Sequence, residues 1–253
     1  MKQATFNICR ACTATALLGL LVTGCVTMAV KEKSASAETE KQAAAPVDTQ
    51  IWRRAEAKRP PLDEIRRVRA GLPDSLQTLA LQLREDDVDK RRQAAYIAEA
   101  LLAQARGCLP DLLLVAVDEK DPVSRAIMVR AIANIGDTSE ETLTVLRQMF
   151  RNEEHAVVLV YLAGAVALLD LGSDQQVAAD WLARTIMLSD DPEAVPERTG
   201  DFWEQCWAAM YMISKLADQA SRFVPVLEHF GDVEDVPTFV ERQVGFTLAR
   251  LQQ

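Results

Sequence analysis

The 253-residue sequence predicts an all-α chain, an α-solenoid of about five helix pairs preceded by a disordered tether. Three observations predict it. Apolar residues recur at helical spacing from Asp74 onward, a block of about 34 residues repeats, and glycine is scarce, with 10 in the whole chain.

The N-terminus carries Lys2 and Arg10, then a run of apolar and small residues over 11–22. About 20 apolar residues are needed to span a bilayer, so a basic start before so short a run reads as a secretory signal. The run ends in Leu21-Val22-Thr23-Gly24-Cys25. That ending resembles the bacterial lipobox: an aliphatic residue, a small residue and Gly precede a Cys that is diacylated and becomes residue one. The resemblance implies a signal peptide over 1–24, lipidation of Cys25 and a cell-envelope location. Val26 follows rather than Asp, which resembles an outer-membrane sorting signal and implies the periplasmic face of that membrane. Cys9 and Cys12 form a C-x-x-C, but both fall inside the signal. Of the other cysteines, Cys108 and Cys206 are expected as buried thiols, because repeat stacks seldom join residues so distant in sequence.

Cleavage would remove two positive charges and no negative one, taking the net charge from −9 to −11. So acidic a chain is ill suited to nucleic acid, whose phosphates need a basic surface. Membrane attachment would fall to the two acyl chains, which hold firmly where one holds marginally. Residues 25–51 are small and charged with little to bury, as in Lys31-Glu32-Lys33-Ser34 and Ala43-Ala44-Ala45-Pro46. Such a tether of about 25 residues has a mean span of about 25–30 Å.

Residues 52–73 form a basic segment. Residues 52–69 hold seven basic residues (Arg53, Arg54, Lys58, Arg59, Arg66, Arg67, Arg69) against Glu56, Asp63 and Glu64. Residues 70–253 hold 16 basic and 30 acidic residues. The segment reads either as an N-terminal cap resting on the acidic repeats or as a docking arm for an anionic partner. Pro60-Pro61 divides it, and a short helix is expected from Leu62 with Asp63 and Glu64 in its first turn.

Residues 74–253 are read as the repeat domain. Arg91-x-x-Ala94-Ala95-x-Ile97-Ala98-x-x-Leu101 superimposes on Arg125-x-x-Met128-Val129-x-Ala131-Ile132-x-x-Ile135 at an offset of 34. Further copies end in Leu168-x-x-Leu171-Gly172, Ile213-x-x-Leu216-Ala217 and Leu248-x-x-Leu251, at offsets of 36, 45 and 35. Each copy marks an A helix, with shorter B helices expected over 109–117, 139–151, 174–187 and 220–229. Asp87 and Asp121-Pro122 supply starts, since a carboxylate caps free N–H groups and proline fits the first helical position. Residues 156–169 are apolar throughout but too short to span a membrane, and read as a buried central helix. Asp121-Pro122-Val123-x-Arg125 followed by Ala131-Ile132-Ala133-x-Ile135-Gly136 resembles the HEAT-repeat family. The resemblance implies pairing of Asp121 with Arg125 within its repeat.

No catalytic constellation stands out. His155 and His229 lie in different repeats and share no zinc-ligand spacing. Asp86-Asp87-Val88-Asp89 lacks the Gly and distal Glu of a calcium loop. No nucleophile elbow, phosphate loop or dinucleotide fingerprint occurs, and no cofactor or metal is expected. The long offset before the fourth copy leaves an insertion over 188–200, including Asp190, Asp191 and Arg198, followed by Trp203 and Trp207. Solenoid insertions often sit on a binding face, and aromatic side chains anchor interfaces. These five, with Arg53, Arg54, Arg66 and Arg67, are the candidate partner-binding residues. The expected function is a lipid-anchored protein-binding scaffold, an accessory subunit partnered by other envelope proteins. A maturation factor or lyase acting on an envelope protein or chromophore is the alternative, and a purely structural spacer a third.

Overall fold

In a computed structural model, the structure describes residues 50–170, 172–186, 200–216, 221–233 and 236–252. The fold is all-helical, with no strand among these residues. The signal, Cys25, the tether before residue 50 and the insertion residues Asp190, Asp191 and Arg198 lie outside them.

The first two helices belong to the basic segment. Helix α1 covers Gln50–Ala57 and α2 covers Leu62–Ala70, with Asp63 and Glu64 in its first turn as expected. Helix α3 follows over Asp74–Leu83 and α4 over Val88–Leu101. A 3-10 stretch, Leu102–Cys108, leads into α5, Leu109–Asp118. The run Val88–Asp118 is long and apolar enough by composition to cross a membrane. It is not one straight helix, however: Leu102 takes φ 56° and ends α4. Then come α6 (Pro122–Ile135), α7 (Glu140–Asn152), α8 (Ala156–Leu169) and α9 (Ser173–Ile186). The chain closes with α10 (Gly200–Ile213), α11 (Val224–Gly231) and α12 (Thr238–Leu251).

The even-numbered helices pack in succession, α4 on α6, α6 on α8, α8 on α10 and α10 on α12. Each also packs on the odd-numbered helix before it. These five helices are the expected A helices, each 14 residues long, and α5, α7, α9 and α11 fall on the expected B helices. The buried core runs through the A layer: α8 buries eleven of its fourteen residues, as its uniform apolarity requires. Small residues allow the close packing. A Cβ on Gly164 of α8 would lie 2.5 Å from Met212 Cβ of α10.

Helix starts are set by the predicted caps. Asp87 accepts from the N–H groups of Asp89 (2.8 Å) and Lys90 (3.4 Å). Asp121 accepts from Ser124 N–H at 2.7 Å, with Pro122 in the first helical position. At the other end of α6, Gly136 takes φ 74°, a left-handed stop that glycine adopts without a Cβ penalty.

Two expectations are corrected. Helices α4, α6 and α8 begin at residues 88, 122 and 156, so the third copy is offset by 34 rather than 36. α10 and α12 begin at 200 and 238, giving steps of 44 and 38 rather than 45 and 35. In a helix as evenly apolar as α8 the hydrophobic pattern has no phase to read, so the superposition slid by two residues. The pairing of Asp121 with Arg125 inside one repeat is replaced by bonds between repeats. Arg91 grips Glu119, 28 residues on, with Nε–Oε2 2.6 Å and Nη2–Oε1 3.0 Å. Arg125 grips Glu153, again 28 residues on, at 2.7 and 2.8 Å. Each glutamate also accepts the backbone N–H two residues later, at Asp121 and His155, both 2.9 Å. Asp121 itself turns back to Arg92, at 2.9 Å. A third rung of different length joins Arg147 to Asp170 at 2.9 Å. The family's cross-linking idea survives, but each arginine reaches forward one loop because a helix start needs its own aspartate for capping.

Cys108 and Cys206 are both free and buried, in accord with the expectation of unpaired thiols.

Candidate functional site

The polar centre of the molecule is one arginine. Arg130 lies on α6 within Ala126–Ile135, where it is the sole charge, and is 2% exposed. An isolated charge there would cost many kcal/mol, so it must be paired and hydrogen-bonded on all sides. It is. Nε and Nη2 donate to Glu99 Oε1 at 3.0 and 2.7 Å, Nη2 reaches Oε2 at 2.8 Å, and Nη1 donates to Glu56 Oε1 at 2.8 Å. Glu99 comes from α4 and Glu56 from α1, so one guanidinium joins three helices.

All three tyrosines of the chain gather around it. The guanidinium carbon lies 5.2 Å from the ring centre of Tyr211, 5.5 Å from Tyr161 and 5.9 Å from Tyr96. A desolvated guanidinium over a ring is worth up to about 2 kcal/mol. Tyr211 OH donates to Glu99 Oε1 and Tyr96 OH to Glu56 Oε1, both at 3.2 Å. Asn134 Nδ2 contributes at 3.4 Å and is fixed in turn by Lys215 Nζ at 2.9 Å.

The environment shifts these groups consistently. Burial drives the Arg130 pKa down, but Glu99, the tyrosines and Glu56 more than reverse it and hold the guanidinium charged. Burial raises Glu56, and Arg130 and Arg59 overcome this, leaving its carboxyl below the usual range. Burial pushes all three phenols up, so they remain neutral donors. Burial lowers Lys215. The cluster is therefore a set of fixed charges and locked hydroxyls that positions rings.

What it positions is a cavity of about 280 Å³. Its walls are Trp52 and Glu56 of α1, Val157 and Tyr161 of α8, Glu204 and Trp207 of α10, and Phe239 of α12. Trp52 leans on Tyr161 with centroids 6.4 Å apart, and Trp207 stacks on Tyr211 at 5.7 Å and 9°. Below Tyr96, Arg59, Pro60, Glu99 and Asn134 help line a second cavity of about 200 Å³. A larger hollow of about 620 Å³ beside α5 and α7 is lined by Arg125 and Glu153, but these are spent on each other.

Compared with models of known protein families, with curated proteins and with solved structures, the chain matches none. Function is therefore read from the site itself.

Of the residues singled out in the sequence, Trp207 reaches the cavity. Trp203, one turn earlier, is a core residue, 8% exposed and edge-on to Phe202 and Phe230. Arg53 lies on α1, and Arg54 of the same helix is exposed. Arg66 and Arg67 are exposed on α2, Arg66 donating to Asp63 at 3.0 Å. Other members of the basic segment lie down on α4: Lys58 binds Asp89 at 2.7 Å, Arg59 approaches Glu99 at 3.4 Å, and Arg69 donates to the Ala100 carbonyl at 3.1 Å. The segment thus rests partly on the repeats and partly faces outward. Sequence reading missed Arg130, Glu99 and the tyrosines. The available signal was a lone charge inside an apolar helical run, since a helix buried all round has no solvent face to put it on.

Proposed function

We propose that this chain is a lipid-anchored protein-binding scaffold of a bacterial cell envelope, an accessory subunit held by Cys25 at the periplasmic face of the outer membrane. In this reading the helix pairs form a HEAT-like α-solenoid, and the A-helix layer carries the binding surface. The observation that carries the proposal is the aromatic cavity, built by four separate helices and braced from below by Arg130. Rings held this rigidly lose little freedom when a partner covers them, which is what makes aromatic anchors effective. The lipobox-like Leu21-Val22-Thr23-Gly24-Cys25 supports the anchor, and the forward-reaching ladder of Arg91 and Arg125 supports a repeat stack.

The test is photo-crosslinking in intact envelopes from a benzophenone amino acid at Phe239, with a second probe at exposed Leu81 on α3 as control. One or more envelope proteins should be recovered reproducibly from position 239 and not from 81. Recovery of nothing, or of the same proteins from both positions, would remove the proposal. Cys25→Ser should abolish lipid labelling and membrane retention.

A further inference from the structure

The composition of the cavity beneath α1 fits one kind of ligand. Trp52, Tyr161, Trp207 and Phe239 give it four aromatic walls, and Glu56 and Glu204 add two carboxylates. An aromatic ring carries negative charge density on its face, so rings around a small space attract a cation, most strongly where water is excluded. An anion would face both carboxylates, and the buried guanidinium behind Tyr161 cannot serve it: every Arg130 nitrogen already donates to Glu99 or Glu56. A purely apolar ligand would be served by the rings and Val157 alone, and would gain nothing from two glutamates at the wall. The volume, about 280 Å³, lies just below the range of about 300–1,000 Å³ typical of drug-sized ligands, so a compact head group suits it.

We propose that this cavity is an aromatic cage for a quaternary ammonium group, of the kind carried by choline- and betaine-type molecules. The inference rests on the preceding reading only in taking this cavity as the binding site. A quaternary ammonium suits it better than a lysine side chain. A primary ammonium is a compact, strongly hydrated charge that would have to surrender its water to the rings. A trimethylammonium spreads its charge over methyl groups that lie flat on ring faces.

Two of the walls, Trp52 and Glu56, stand on α1, and α1 is fastened to the core through Glu56 and Arg130. The cage is therefore complete only with α1 in place. A ligand that binds the closed cage alone must hold α1 down by mass action, in proportion to its saturation.

The experiment is a choline titration of the full chain in detergent at constant ionic strength. Tryptophan fluorescence and saturation transfer from the N-methyl protons report occupancy. Saturable binding with a Kd of about 1 mM or tighter is expected. The neutral isostere 3,3-dimethylbutan-1-ol should bind at least about tenfold more weakly, as should choline to Trp207→Leu and to Phe239→Leu, with far-UV circular dichroism unchanged in at least one variant. Equal binding of the isostere would make the cavity merely apolar and overturn the proposal. Tighter binding of a lysine amide than of choline would overturn it too, as would no saturation at about 100 mM choline. Choline binding without any crosslinked partner would retire the scaffold and keep the cage. Crosslinking from position 239 without choline binding would do the reverse.

Discussion

Replacing Arg130 by methionine removes the charge that joins α1, α4 and α6 while keeping a long side chain in place. Glu99, with a side chain 8% exposed, would lose its bidentate partner. What remains is Tyr211 OH at 3.2 Å, with Asn134 Nδ2 and Arg59 Nη2 each at 3.4 Å. Breaking a buried pair by deleting one member costs about 3–5 kcal/mol, and those three donors place this case toward the lower end. Loss of the contacts with the three rings adds about 1 kcal/mol. The expected destabilisation is therefore about 4 kcal/mol, which for a chain of this size lowers Tm by about 8–16 °C. Urea titration followed by circular dichroism measures it. The double variant Arg130→Met/Glu99→Leu should recover at least about 2 kcal/mol relative to the sum of the singles, because the stranded carboxylate is gone. A single-variant loss below about 1 kcal/mol, or strict additivity in the cycle, would refute the account of this cluster.

Three further outcomes are expected. Gly164→Ala forces a methyl to within 2.5 Å of Met212 Cβ and must push α8 from α10, costing about 1–3 kcal/mol by the same denaturation assay. Burial pushes the Cys108 thiol up to about 11, so under native conditions Ellman's reagent should modify it no faster than the chain unfolds; rapid native labelling would contradict its burial. The carboxyls of Glu153, Asp121 and Asp170 are held below their ordinary values. For Glu153 and Asp121, burial opposes the shift and is outweighed by Arg125 in the one and by Ser124 and Arg92 in the other; for Asp170, bonding to Arg147 is the main cause. A lowered folded-state pKa gives stability that is present above the unfolded value, about 4, and lost as pH falls through the folded one. Stability should accordingly be level from pH 7 to about 5 and fall below about 4, and Arg125→Met should flatten that acid slope.

The helices were legible because their signals are local. Asp87 and Asp121-Pro122 mark starts by bonds made within three residues, and the apolar spacing of α5 and α7 marks the face each buries. Even α8 could be recognised by its apolarity and length. The candidate site was less legible because it is assembled from residues far apart in the chain. Glu56 and Arg130 are 74 positions apart, and Tyr211 and Glu99 are 112. No local pattern marks which of 28 basic residues will be buried. The tryptophans show the same limit from the other side. Trp203 and Trp207 read alike in sequence, and only the packing of α10 against α11 and α12 sends one into the core and the other to a cavity wall.

The glutamate rungs also act as a length gauge. Arg91 and Arg125 each span 28 residues to their acceptor, and each acceptor is tied to the backbone two residues on. One residue inserted into either span would rotate the following helix by about 100° and carry the carboxylate off its arginine. From α8 onward no rung of that span recurs among the described residues, and the steps lengthen to 44 and 38. Insertions and deletions are thus forbidden in the first half of the stack and permitted in the second, which makes the second half the place where the chain can acquire new surface without losing count.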